Sequence, residues 1–205
     1  MKLYYSPLAC SLADHIALIE AGASFERESV DLKTKRTASG SDFRAITPKG
    51  YVPALVLENG EVLTENVAVL DWLATQYPKL GARGDDLSHA RLLEALAFIS
   101  TEIHHGFKAM WHGASDSEKA QARDNISRLM SILAGNLAGD YLFGAQPSVA
   151  DFYLFVMLLW AERFDVRTPQ PLVALRRRMI ARAAVQTAMR QEGLDRLLEA
   201  NVEAA

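Results

Sequence analysis

The apolar period of this chain changes once along its length. Up to about residue 78, short strand-like runs alternate with helical ones. Beyond a Gly-, Arg- and Asp-rich stretch at 79–86, nearly every apolar residue recurs at helical spacing. This change predicts an α/β domain over 1–78, a linker over 79–86 and an all-helical domain over 87–205. In the first domain, residues 3–5 read as a strand and 12–20 as a helix that Gly22 is placed to end; residues 25–32 read as a second strand. A polar stretch at 33–42 and a weak helical turn at 43–46 follow. Residues 54–57 and 61–63 flank Glu58-Asn59-Gly60, a hairpin signal. Thr64 is expected to cap a helix running to about residue 77, which Pro78 stops. The order is βαβαββα, with the second helix its weakest element.

Helices are expected in the second domain at about 86–111, 115–137, 148–164, 171–183 and 185–192. Ser148-Val149-Ala150-Asp151 has the spacing of a capping box before a nearly all-apolar helix, which must therefore be central to its domain.

Of the 205 residues half are apolar, enough to bury a sizeable core, and 22 basic against 25 acidic residues leave a net charge of −3. That balance gives no general attraction to nucleic acid or to an anionic membrane. Arg176-Arg177-Arg178 reads as a solvated helix face, and the apolar run at 152–160 is too short to cross a bilayer. One cysteine cannot form an internal disulfide, and the amino terminus lacks the pattern of a secretory signal, so the cytoplasm is the expected compartment.

Three short stretches carry chemistry. Cys10 stands between a strand and a helix starting near Ser11, where unpaired N–H groups and the helix dipole favour a thiolate. Val52-Pro53 leads into a strand. A cis bond there would turn the Val52 N–H and C=O outward for an extended peptide, while an ordinary trans bond is the commoner state. Thr64-Glu65-Asn66 opens a helix whose free N–H groups suit a carboxylate, with Glu65 able to hold an ammonium group.

The strand–Cys10-Ser11–helix opening, Val-Asp-Leu at 30–32 with Lys35, and Pro-Lys-Gly-Tyr-Val-Pro-Ala-Leu at 48–55 occur in one order with Leu-Thr-Glu at 63–65, Ser-Thr-Glu-Ile-His at 100–104 and Ser-Val-Ala-Asp at 148–151. Together they resemble the bacterial beta-class glutathione transferases. The resemblance implies a thioredoxin-like first domain, a helical second domain, a cis Val52–Pro53 bond and a homodimer with active sites near the subunit interface. It gives Cys10 the place beside the glutathione sulfur, where a mixed disulfide can form. The Val52 backbone, at Pro53, takes the cysteinyl part, Glu65 and Asn66 the γ-glutamyl head, and Lys35 a carboxylate, with Tyr5 near the sulfur. Glu102 is implied to reach the partner subunit's glutathione, and His104 to face the thiol.

The expected reaction is attack of the glutathione thiolate on a small apolar electrophile. Helix N–H groups, Ser11 and a protonated His104 would stabilise the thiolate, and His105 and Trp111 would border the electrophile pocket. Met110, Phe107, Phe164 and Trp160 are further wall residues. Glutathione is a co-substrate, and no permanent cofactor or metal is expected. Leu8, Asn66, Ala97 and His105 depart from residues common in the family. Two other readings stand beside this one: a thiol–disulfide oxidoreductase working through Cys10 with glutathione as resolving thiol, and a non-enzymatic interaction protein on the same fold.

Overall fold

The computed structural model of the chain describes residues 1–82, 84, 86–111 and 113–203. Arg83 and Asp85, inside the expected linker, lie outside the described residues. The chain divides into two compact units, Met1–Leu80 with Ile180–Ala205, and Gly81–Met179.

The first unit is built on a five-stranded mixed sheet. Strand β1 (Lys2–Tyr5) pairs parallel with β2 (Glu26–Asp31) and antiparallel with β4 (Ala54–Val56). The short β3 (Arg36–Thr37) and β5 (Val62–Thr64) close the edges in the order β3-β2-β1-β4-β5. Helix α1 (Leu12–Ala21) connects the parallel pair, and Gly22 ends it at φ +74°, its N–H on the Ile19 carbonyl and the Ala23 N–H on that of Leu18. The expected hairpin is present. Gly60 takes φ +86°, and the Asn59 side chain accepts the Glu61 N–H at 3.0 Å.

The weak second helix is a single 3₁₀ turn, Phe43–Ala45, and the polar stretch before it supplies β3, which has no alternating pattern to announce it. Helix α2 (Asn66–Gln76) begins two residues later than its expected cap. Thr64 remains in β5, and Glu65 is the N-cap.

In the second unit, α3 (Ser88–Phe98) passes into a π-helical turn, Ile99–His104, before the short α4 (Lys108–Trp111). The single expected helix over 86–111 is thus interrupted, and the interruption carries Glu102 and His104. Helices α5 (Asp116–Gly135), α6 (Val149–Arg163) and α7 (Gln170–Ile180) follow. Residues Val149 to Ala161 of α6 are all buried, as a helix apolar on every face requires. Asp151 reaches back to the Ser148 N–H and hydroxyl, each at 2.8 Å, and also accepts the Leu142 N–H at 2.8 Å. Arg176 and Arg178 are not a plain solvated face, since they pair with Glu162 and Asp140.

Helices α8 (Ala183–Gln191) and α9 (Asp195–Glu203) cluster with the sheet, unlike the continuous helical domain expected over 87–205. The physical cause is α1, which is buried from Leu12 through Leu18 and needs cover beyond the sheet; α8 packs on it with Ala184, Val185, Ala188 and Met189 buried. Among the described residues no helix is long and apolar enough to cross a membrane.

Candidate active site

The loop between β1 and α1 is held from two sides. Ser11, fully buried, accepts the Ser6 N–H on its hydroxyl at 3.2 Å and lies 3.5 Å from the Ser6 carbonyl. Its hydroxyl is therefore engaged with the backbone of its own loop, whereas the sequence predicts a role for it in stabilising a thiolate. Leu8 takes φ +59°, a region that disfavours a Cβ; its N–H is held at 3.1 Å by Glu192 Oε2. The other Glu192 oxygen lies 3.0 Å from His15 Nδ1, and His15 Nε2 is 2.9 Å from the Gln191 side-chain oxygen. The two sides of this buried group are separated by 177 residues of chain, so nothing local tells His15 which partner it will meet. Tyr5 belongs to it. The ring packs 5.6 Å from that of His15 and the hydroxyl points to the Gln191 carbonyl at 3.5 Å.

Cys10 is half-buried, and its thiol points at the Val52 carbonyl, 3.6 Å away. Val52–Pro53 is cis, and β4 begins at the next residue. The Val52 side chain packs into a cluster with Tyr4, Val30, Phe43 and Ala54, which ties the turn to the sheet. Lys35, itself at φ +59°, donates to the Gly50 carbonyl at 2.9 Å and lies over the exposed Tyr51 ring at 5.2 Å. Glu65 adopts φ +70°, unusual for a residue with a side chain, and its exposed carboxylate receives Lys49 at 2.6 Å.

Asn66 is buried, and its amide is assigned with the nitrogen toward acceptors, the orientation that pairs donors with acceptors. It then donates to Asp14 Oδ2 at 2.7 Å and to the Cys10 carbonyl at 3.1 Å. The structure thus brings Cys10, Val52, Pro53 and Asn66 together, with Lys35 and Glu65 on the loops that flank them. The Asn66 side chain is bound to protein, which leaves the first N–H groups of α2 as the donors for a carboxylate.

The electrostatics of Cys10 reverse the expectation. Burial pushes its thiol up to about 12, and the Asp14 carboxyl adds to the rise. The N–H of Ser11 acts in the opposite sense, as a helix start should, but is outweighed. Cys10 is therefore a neutral thiol at physiological pH.

In the second unit, His104 accepts or donates at Nδ1 with the Tyr153 hydroxyl at 2.6 Å, and its ring stands edge-on to Trp160 at 4.9 Å. Burial, with the neighbouring His105 adding to it, lowers His104 to about 4. The imidazole is neutral at pH 7 and cannot supply the positive charge expected of it. Glu102 and His105 are exposed. Phe107 and Trp160 are core residues, whereas Trp111 is 43% exposed, packed edge-on against Phe164 at 4.7 Å with Arg163 over its ring.

Residues 9–76 match the family description "Glutathione S-transferase, N-terminal domain" and residues 116–185 "Glutathione S-transferase, C-terminal domain". The chain is 38% identical over 200 residues to glutathione S-transferase GstA of Escherichia coli O157:H7, covering 95% of this chain and 100% of that protein. A sphingomonad glutathione S-transferase solved in complex with glutathione has a TM-score of 0.88 and 42% identity over 95% of this chain and 100% of its own. A beta-class glutathione S-transferase from Sphingomonas chungbukensis gives 0.85 and 40% over the same shares. A thioredoxin-like sheet carrying a cysteine beside a cis proline, read with these likenesses, makes the chain a member of the glutathione S-transferase family, of the bacterial beta class.

Proposed function

We propose that this enzyme conjugates the glutathione thiolate to small apolar electrophiles. The reading is carried by one juxtaposition: Cys10 contacts Val52 through its sulfur at 3.6 Å and Asn66 through its carbonyl at 3.1 Å. An extended γ-glutamyl tripeptide laid along that edge pairs its cysteinyl backbone with Val52. Its γ-glutamyl carboxylate meets the N–H groups opening α2, and its ammonium takes the place of Lys49 on Glu65. Lys35 is assigned the glycine carboxylate, and Trp111 and His105 the electrophile's wall. A homodimer in which Glu102 meets the partner's glutathione, and a cytoplasmic location consistent with a single cysteine, belong to the same reading.

In the reaction, glutathione's thiol loses its proton to solvent and the resulting thiolate forms a thioether with the electrophilic carbon, whose leaving group departs with the bonding electrons. The protein lowers the cost of the anion with hydrogen bonds at the start of α1. Cys10, as a neutral thiol that would turn its one proton from the Val52 carbonyl toward the anion, is a weak donor and not a second nucleophile, which disfavours disulfide exchange as its principal activity.

Glutathione titration by calorimetry and a chloronitroarene assay test the proposal. The parent chain is expected to bind and turn over, and Glu65→Ala to bind about 10- to 100-fold more weakly through loss of a charged hydrogen bond. An unchanged isotherm for Glu65→Ala removes that residue from the γ-glutamyl end, and no binding by the parent chain defeats the whole reading.

A further inference from the structure

Asp14 is an acid in the buried stretch of α1, where the other buried residues apart from His15 are apolar. It is fully buried and, among the described residues, its Oδ1 makes no hydrogen bond. Burial pushes its carboxyl well above the usual carboxylate range. Its other oxygen accepts from the Asn66 amide, and that amide also donates to the Cys10 carbonyl.

We propose that Asp14 is a positioning residue of the glutathione site, locking the start of α1 to the start of α2 through Asn66. The inference rests on the glutathione reading and deepens it. Each helix start carries one end of the ligand's recognition: Cys10 precedes α1 and faces the sulfur position, whereas Glu65 precedes α2 and faces the γ-glutamyl head. The spacing between them must match a fixed covalent length in the tripeptide. A short polar bridge, 2.7 Å to Asp14 and 3.1 Å to Cys10, sets that spacing more tightly than apolar packing does, because hydrogen bonds weaken steeply with distance and angle. The bridge also acts on Glu65. Its left-handed backbone, φ +70°, is a conformation that persists only where neighbours hold it, and the next residue is the one Asp14 fastens.

Asp14→Asn keeps an acceptor oxygen for the Asn66 amide, whereas Asp14→Ala removes it. A double-mutant cycle of Asp14→Ala and Asn66→Ala, with Asp14→Asn as the conservative variant, therefore tests the bridge. The readouts are the glutathione dissociation constant by calorimetry, KM for glutathione and for a chloronitroarene separately, kcat, and the urea midpoint.

Asp14→Ala and Asn66→Ala are each expected to weaken glutathione binding about tenfold, with the double variant no weaker than either single one, as for two residues of one link. The chloronitroarene KM should stay within about twofold, and Asp14→Asn should return glutathione affinity to within about threefold of the parent. A lowered urea midpoint with unchanged glutathione affinity, or fully additive losses in the cycle, overturns the proposal. Should Asp14→Ala fail to fold, Asn66→Ala and Asp14→Asn still decide it: parent-like affinity in Asn66→Ala, or tenfold loss in Asp14→Asn, overturns it. A parent chain that binds no glutathione would instead sink the underlying site reading.

Discussion

Asp151→Ala is expected to destabilise the chain by about 3–5 kcal/mol at pH 5, a loss made of a helix cap and two buried N–H groups left without acceptors. The donors are the N–H groups of Ser148 and Leu142, both at 2.8 Å from the carboxylate, and the helix they precede is the fully buried α6. Urea denaturation followed by circular dichroism measures it, and a change under about 1 kcal/mol would show that water or a neighbouring group replaces the carboxyl. The loss has a defined pH dependence. Burial pushes Asp151 up to about 6, so the folded carboxyl keeps its proton to a higher pH than the unfolded one. Stability from this group is complete below about pH 4 and falls away as the pH rises through about 6. The alanine variant lacks that titration, so the gap between parent and variant should narrow by about 1–2 kcal/mol between pH 5 and pH 7. A gap that widens with pH would reverse the sign assigned to the buried carboxyl.

Asp151 was legible because its chemistry is local: Ser148, three residues before it and just ahead of an apolar run, announces both the cap and the helix. The Asn59-Gly60 hairpin and the Gly22 terminus were legible for the same reason, each being set by the conformational preferences of one or two residues. The elements that escaped are those decided by the partner they meet and not by their own residues. Strand β3 exists because Val30 and Asp31 of β2 offer it an edge, not because Arg36-Thr37 has strand character. The last helices join the sheet because α1 is apolar beyond what the sheet covers. The chain itself gives only the amphipathic period of α8, not the surface it will meet.

The candidate site divides along the same line. Residue identities and order pointed to Cys10, Val52, Pro53, Lys35, Glu65 and Asn66, and these share or flank one edge of the first unit. What each group does there depends on burial and charge, which order cannot supply. His104 reads from sequence as a histidine able to take a proton, whereas its burial beside Tyr153 and Trp160 holds it neutral. Asp14, His15 and Glu192 were missed. The polar pair Asp14-His15 inside an apolar helix was the one available signal, since such groups are buried only with partners and so imply that partners exist.

The Cys10 thiol is expected to alkylate at neutral pH about a hundredfold more slowly than the same residue in the urea-unfolded chain. Raising a thiol from about 8.5 to about 12 cuts its thiolate fraction by about three powers of ten, and the greater nucleophilicity of a more basic thiolate returns about one of them. Modification by iodoacetamide followed by mass spectrometry measures the rate, and the assignment is unambiguous because the chain holds one cysteine. The half-buried residue leaves two causes of slowness to separate, protonation and steric cover, and the pH dependence separates them. Under protonation control the folded rate keeps climbing beyond pH 9. Under steric control it levels near pH 8.5, as a free thiol does, at a low plateau. A folded rate within threefold of the unfolded one would remove burial and the carboxyl of Asp14 as the causes that keep the proton on sulfur. It would restore Cys10 as a nucleophile in its own right, and disulfide exchange would then become the activity to assay first.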